Sequence, residues 1–355
     1  MENTEKIKLN GDEALIPVER TAPPDGKPEV VVVTGASAGI GRAVVRRFAM
    51  AGAHIGIIGR GMDGLQGTKE DVERLGGKAI ICQGDVADPE TTERAAQMVE
   101  DEFGEIDVWV NNATTSVFSP IKEMKPEEYK RVTEVTYLGV VYGTLAALKR
   151  MLPRDRGVIV QVGSALAYRG IPLQSAYCAS KHAIQGFMDS LRSELIHDKS
   201  NVRASMVQMP AMNTPQFSWV KSRLPNKPQP VPPIYQPEIG AEAVHFVAHN
   251  DRREMYVGYP TVEAIVGNKI VPGYVDKYLA KGGYKSQQTD EPVEADRQNN
   301  LYEPVPGDHG AHGSFDERAK DFSPQLWANK NRGKVALSAL GIAAGLALLW
   351  KRSRD

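Results

Sequence analysis

Three side chains in this chain of 355 residues could together move a proton onto or off a substrate oxygen: Ser164, Tyr177 and Lys181. Tyr177 and Lys181 stand at i and i+4 in SAYCASKHAIQGF, so on a helix they share one face. A phenol titrates near pH 10 and is a poor acid or base at neutrality until a cation stabilises its phenolate. A lysine one turn away supplies that cation and can also reach a sugar hydroxyl. The pair alone carries little weight, since Tyr and Lys at this spacing arise by chance in a chain with 12 tyrosines. Its weight comes from Ser164, at the end of the apolar run IVQVGS, where a parallel strand would deliver it to the ligand edge of a sheet. The plainer alternative is a turn serine beside a surface Tyr–Lys pair.

A second constellation is the turn VVVVTGASAGIGRAVV, which places Gly35, Gly39 and Gly41 between a strong strand and a helix. Missing side chains let backbone N–H groups approach a pyrophosphate, and the positive end of the helix points at that anion. Ser37 and Ile40 fall inside the turn and count with the glycines as cofactor contacts. An NAD-specific site usually carries an acid about 20 residues on, at the end of the second strand. Here that position is Gly59, followed by Arg60. No carboxylate repels a 2′-phosphate and a guanidinium is present to bind one, so NADP(H) is favoured and NAD(H) remains possible. Asp85 and Val86, just past the third apolar run, would meet the adenine; Asp85 serves equally well as a turn residue.

The elements that must position these groups follow from apolar runs at 29–34, 54–59, 78–83, 107–110, 157–163 and 202–209, with a seventh at 253–259. Such runs suit strands buried on both faces of a parallel sheet. Helical patterns lie between them at 39–51, 62–75, 89–103, 125–151 and 174–198. The fold class is therefore α/β: a doubly wound parallel sheet (Rossmann fold) in three α/β/α layers, with a polar tail and a C-terminal apolar helix. The predicted organisation is a flexible leader over 1–28, a catalytic domain over 29–280, a polar linker over 281–332 and an apolar helix over 333–352.

With 43 basic against 44 acidic residues, the chain has no overall nucleic-acid footprint. Cys82 and Cys178 cannot form a disulfide framework and read as buried thiols in a reducing, non-secreted setting. His182, His197, His245 and His249 lack a metal-ligand pattern. The run VALSALGIAAGLALLW at 335–350 carries no charge and is closed by Lys351, Arg352 and Arg354. A helix from Gly333 to Trp350 would span about 27 Å, against a hydrocarbon core of about 30 Å, and snorkelling lysines tolerate the difference. A membrane anchor with the catalytic domain in the cytoplasm is the favoured reading, a buried oligomer helix the alternative.

Taken together, TGASAGIG (34–41), NNA (111–113), Ser164, YCASK (177–181) and PAMNT (210–214) resemble the short-chain dehydrogenase/reductase family, over about residues 29–260. The resemblance implies Tyr177 as general acid/base and Lys181 as its activator and a ligand of the nicotinamide ribose. It also implies that Ser164 orients the carbonyl oxygen, that Asn111 and Asn112 support sheet and cofactor, and that Thr214 lies at the nicotinamide end. Two residues depart from the pattern. Thr114 replaces a usual glycine, and Thr136 stands where the family commonly has an asparagine that anchors a relay water. The threonine hydroxyl is expected to help hold that water.

Met212, Phe217, Trp219 and Val220 follow the sixth strand and suit either a lid over a lipophilic substrate or packing against the core or a neighbouring subunit. The leading function is an NADP(H)-dependent carbonyl reductase or alcohol dehydrogenase, assembled as a homodimer or homotetramer. The competing one is a catalytically weak dinucleotide sensor or scaffold anchored at a membrane, favoured by Thr114 and Thr136.

Overall fold

The computed structural model describes the strand residues 4–9 and 12–17 and residues 27–338 apart from position 295. Seven parallel strands form the central sheet: β1 (Val30–Thr34), β2 (His54–Gly59), β3 (Lys78–Gln83), β4 (Val108–Asn111), β5 (Val158–Ser164), β6 (Arg203–Met209) and β7 (Glu254–Tyr256). Their order across the sheet is β7-β6-β5-β4-β1-β2-β3, so the winding reverses between β1 and β4. At that switch point two loops diverge and leave a crevice at the carboxyl edge.

The strands read as continuous apolar runs because each is covered twice. Val31 and Val33 point into one core with Phe48 and Val244, while Val30 and Val32 point into the other with Trp109 and Met188. Helices α1 (Gly39–Met50), α2 (Met62–Arg74) and α7 (Pro237–His249) cover the first face. Helices α3 (Pro89–Phe103), α5 (Gly139–Met151) and α6 (Ser175–His197) cover the second. The expected helix over 125–151 is broken into α4 (Pro126–Thr133), a π-helical turn over Glu134–Leu138, and α5. His245 and His249 stack on each other at 4.4 Å and on Phe48, so they serve packing.

Two expected organisational features change. The leader contains an antiparallel hairpin, Thr4–Leu9 against Asp12–Pro17, with Leu9 opposite Asp12. Asn10-Gly11 between them is the pair that two-residue hairpin loops favour. The polar segment after 281 is not a loose linker. Gln288–Pro292 pairs with Asn226–Pro228, Ala319–Lys320 pairs with Ile234–Tyr235, and Leu301, Ala311 and Leu326 are buried. A few apolar plugs and many main-chain hydrogen bonds hold it where hydrophobic periodicity is missing. No helix among the described residues is long and apolar enough to cross a membrane. Of the apolar run, 335–338 is helical and 339–350 lies outside the described residues.

Candidate active site

The glycine turn folds as its residues require. Gly35 and Gly39 have φ of +66° and +59°, the left-handed region open to glycine. A Cβ on Gly41 would stand 2.1 Å from the Gly35 carbonyl oxygen and 2.5 Å from Asn112 Nδ2, so α1 seats against the turn only without a side chain there. Asn112 donates from Nδ2 to the carbonyls of Thr34 and Gly35 at 3.0 and 3.1 Å, while Thr34 Oγ1 accepts from the amides of Asn112 and Ala113. These bonds tie the loops after β1 and β4 together. Asn111 turns the other way, bonding Trp109, Val140 and Thr144 inside the domain, and is a purely supporting residue.

The crevice between those loops is lined by Gly35, Ser37, Gly39, Ile40, Arg60, Asp85, Val86, Asn112 and Thr214, nine of the expected cofactor contacts. Gly41, Tyr177 and Lys181 do not line it; Gly41 acts from beneath, and the other two stand beside the end of β5. Gly59, Gly61 and Gly64 line the same crevice, leaving a wall almost bare of side chains. A Cβ on Gly64 would come within 2.8 Å of the Ser37 carbonyl oxygen. A dinucleotide needs such a cradle beside a helix N-terminus, and the residues present fit it.

At the adenosine end the expected partners are already engaged. Arg60 donates from Nη1 to the Tyr302 carbonyl and from Nη2 to the Asn300 carbonyl, both at 2.6 Å. Asp85 pairs with Arg131, accepts from the Ala87 amide at 3.0 Å and lies 4.0 Å from Arg60. Arg131 was not foreseen; it sits on α4 with no local pattern to mark it. Also unforeseen were Asn300, Pro304, Val305, Gly307 and His309, which close the crevice from the polar segment.

The proton-handling group assembles beside the end of β5. Ser164 is buried, its side chain accepts from the Leu166 amide at 3.1 Å, and it stands close enough to act on the Tyr177 phenol. Lys181 Nζ donates to the Val162 carbonyl at 2.7 Å and lies 5.5 Å from the centre of the Tyr177 ring. Burial pushes the Tyr177 phenol above its ordinary value, with the Ser164 hydroxyl acting the other way. Burial alone lowers Lys181 to about 8. Lys181 does not figure among the groups that shift the phenol, and desolvation leads them.

Thr136 is fully buried in the π-helical turn, and its hydroxyl is committed to the neighbouring loop. It donates to the Thr115 carbonyl at 3.0 Å, accepts from the Thr115 amide at 3.1 Å and lies 3.2 Å from Thr114 Oγ1. One donor and two lone pairs are thereby used, so this hydroxyl clamps the loop rather than holding a relay water. The two departures from the family pattern, Thr114 and Thr136, are one contact.

The segment after β6 mostly packs inward. Met212 joins the main core, and Val220 is buried with Phe118, Leu173 and Leu224. Phe217 lies edge-on to Phe118 and Phe315, and Trp219 lines the dinucleotide crevice with its ring 4.5 Å from His309. Cys82 and Cys178 are buried free thiols, both pushed up to about 11 by burial.

A family model described as short chain dehydrogenase matches residues 29–223. Over 285 residues the chain is 32% identical to an uncharacterized oxidoreductase, YxnA, of Bacillus subtilis, covering 80% of each. It is 29% identical over 220 residues to a fatty acyl-CoA reductase of Acinetobacter baylyi, covering 61% of this chain and 72% of that one. Among solved structures, a metagenomic short-chain oxidoreductase in complex with NADP superposes with a TM-score of 0.55 at 27% identity, covering 65% of this chain and 97% of that one. The chain belongs to the short-chain dehydrogenase/reductase family, oxidoreductases that act on CH–OH and C=O groups.

Proposed function

We propose that the protein interconverts a carbonyl and a secondary alcohol of a lipophilic substrate with NADP(H), using Tyr177 as general acid/base. The observation that carries this reading is the Ser164–Tyr177–Lys181 group at the same sheet edge as the side-chain-bare crevice. A bound nicotinamide dinucleotide supplies or accepts the hydride. Ser164 orients the substrate oxygen and holds the phenol. With its phenol pushed up, Tyr177 keeps its proton at neutral pH and enters as an acid, which suits carbonyl reduction. Lys181 has two N–H donors beyond the one given to Val162, enough to hold a ribose hydroxyl.

NADP(H) is supported by Gly59-Arg60 at the end of β2 and by the NADP bound to the metagenomic relative. Arg60→Ala should weaken NADPH binding by about 1–3 kcal/mol, the range for a charge-assisted hydrogen bond, and affect NADH less. Titration of both cofactors checks this, and equal losses would reduce Arg60 to a holder of the Asn300 and Tyr302 carbonyls. Lipophilicity is supported by the absence of an evident charged anchor for a substrate acid in the sequence and by the name of the Acinetobacter relative. Turnover of purified protein with NADPH against ketones, aldehydes and fatty acyl derivatives tests the reading; no oxidation of NADPH with any of them would reject it. Exposed Leu145 on α5, Leu152 at its C-cap and Ile196 on α6 support assembly as a homodimer or homotetramer.

The reading extends to residues 335–350 as a membrane anchor, supported by the uncharged sequence alone. A chain ending at Asn331 should stay soluble and keep its turnover, while the full chain sediments with membranes and resists carbonate extraction. Full-length protein in the soluble fraction would overturn the anchor.

A further inference from the structure

The polar segment runs along the whole dinucleotide crevice. At the adenosine end the Asn300 and Tyr302 carbonyls take the Arg60 guanidinium, and the Gly307 amide donates to Asp63 Oδ2 at 2.8 Å. In the middle Asp308 pairs with buried Arg42, and the Gly310 carbonyl accepts from the Gly39 amide, the first of α1, at 3.1 Å. At the far end the Gly313 and Phe315 amides donate to Asn213 O and Oδ1, next to Thr214.

The contact at Asp308 is a latch with a clear electrostatic reason. Arg42, Arg46 and Arg74 all converge on the single buried carboxylate of Asp71. Asp308 brings a further carboxylate to Arg42, whose buried charge is costly to leave unpaired. The segment nevertheless leaves the anion seat open. It takes the Gly39 amide only; the next amide, of Ile40, meets no acceptor among the described residues, and Ile40 lines the crevice. The crevice persists as a cleft walled by the domain on one side and by Pro304, Val305 and His309 on the other.

We propose that residues 300–313 form a latched strap that is the outer wall of the dinucleotide site, so that the cofactor binds beneath it and enters or leaves only when the strap lifts. The inference rests on the dinucleotide reading above and adds to it how the site opens. A cofactor held in this way exchanges at the rate of strap opening. Asn300, Pro304 and His309 then become cofactor contacts from a part of the chain beyond the segment that the family model matches.

A reversible lock tests this directly. A Cβ on Gly61 would lie 3.4 Å from the Pro304 Cβ, close to the separation of about 3.5–4.5 Å that a disulfide needs. The full-length double variant Gly61→Cys, Pro304→Cys is oxidised with NADPH present or absent, and NADPH binding and release are followed by its fluorescence. If the strap is the wall, oxidation slows both entry into the empty protein and release from the loaded protein by about tenfold or more, and dithiothreitol restores both. Rates equal in the oxidised and reduced forms would overturn the strap. Expulsion of NADPH on oxidation would show instead that the segment occupies the seat, which also overturns it. If the crosslink does not form, Asp308→Asn is read instead: faster release supports the strap, unchanged release overturns it. Absence of NADPH and NADH binding to the unaltered protein would reject the dinucleotide reading itself, and the strap with it.

Discussion

Tyr177→Phe is expected to cut turnover by about 10²–10⁴-fold, the span ascribed to a positioned acid/base group, while NADPH affinity stays nearly unchanged. The substitution removes one oxygen. The ring keeps its place on α6, with Lys181 Nζ lying 5.5 Å from its centre, and Lys181 keeps its bond to Val162. Only the hydroxyl beside Ser164 and its transferable proton are lost. Steady-state rates with any substrate found in the carbonyl panel, with far-UV circular dichroism as a fold control, decide the matter. A variant of normal rate would remove Tyr177 from the chemistry.

A comparably large effect is expected from Gly41→Ala, through the binding site rather than the chemistry. The new Cβ would fall 2.1 Å from the Gly35 carbonyl oxygen and 2.5 Å from the Asn112 amide nitrogen. Neither is the free end of a flexible chain: Asn112 Nδ2 is fixed by two carbonyls. Either α1 withdraws from the turn or the turn breaks its bonds to the loop after β4. Overpacking of this kind costs about 1–3 kcal/mol of stability, and the crevice loses the seat for a pyrophosphate. Thermal unfolding should fall and NADPH titration should show little binding. A variant with unaltered melting and affinity would show that the turn adapts without cost.

The sheet was legible because its evidence is local. Strands buried on both faces need unbroken Val and Ile runs, and each expected strand start lies within a residue of the observed one. Ser164, Tyr177 and Lys181 could be read because their spacing is set by one strand end and one helix face. What could not be read depends on partners distant in the chain. Thr136 was expected to face a water; its hydroxyl is used by Thr115, a contact between a helix and a loop that no periodicity encodes. Arg60 lines the crevice as expected of a phosphate ligand, but that it also holds two carbonyls from beyond residue 299 had no local signal. The polar segment has no hydrophobic period because main-chain bonds and the Arg42–Asp308 pair fix it. The strands 4–9 and 12–17 did carry a local signal, the Asn10-Gly11 pair that stands between them in the sequence.

The contacts of Arg60 with Asn300 and Tyr302, and of Arg42 with Asp308, join residues 240 to 266 positions apart. During synthesis all seven strands and the helices around them emerge before those partners exist. Closing so long a loop carries an entropy cost that grows only slowly with its length, but distant contacts form late. The sheet and its catalytic group can therefore condense first, with the crevice still unroofed and Arg42 not yet joined to Asp308. Asp308 then reaches Arg42 only after the sheet is complete, with Leu326 and Lys330 following it. Refolding followed by the Trp219 environment, beside His309, should lag behind the return of secondary structure. A nascent chain stalled before residue 300 would carry a complete sheet and an open cofactor site.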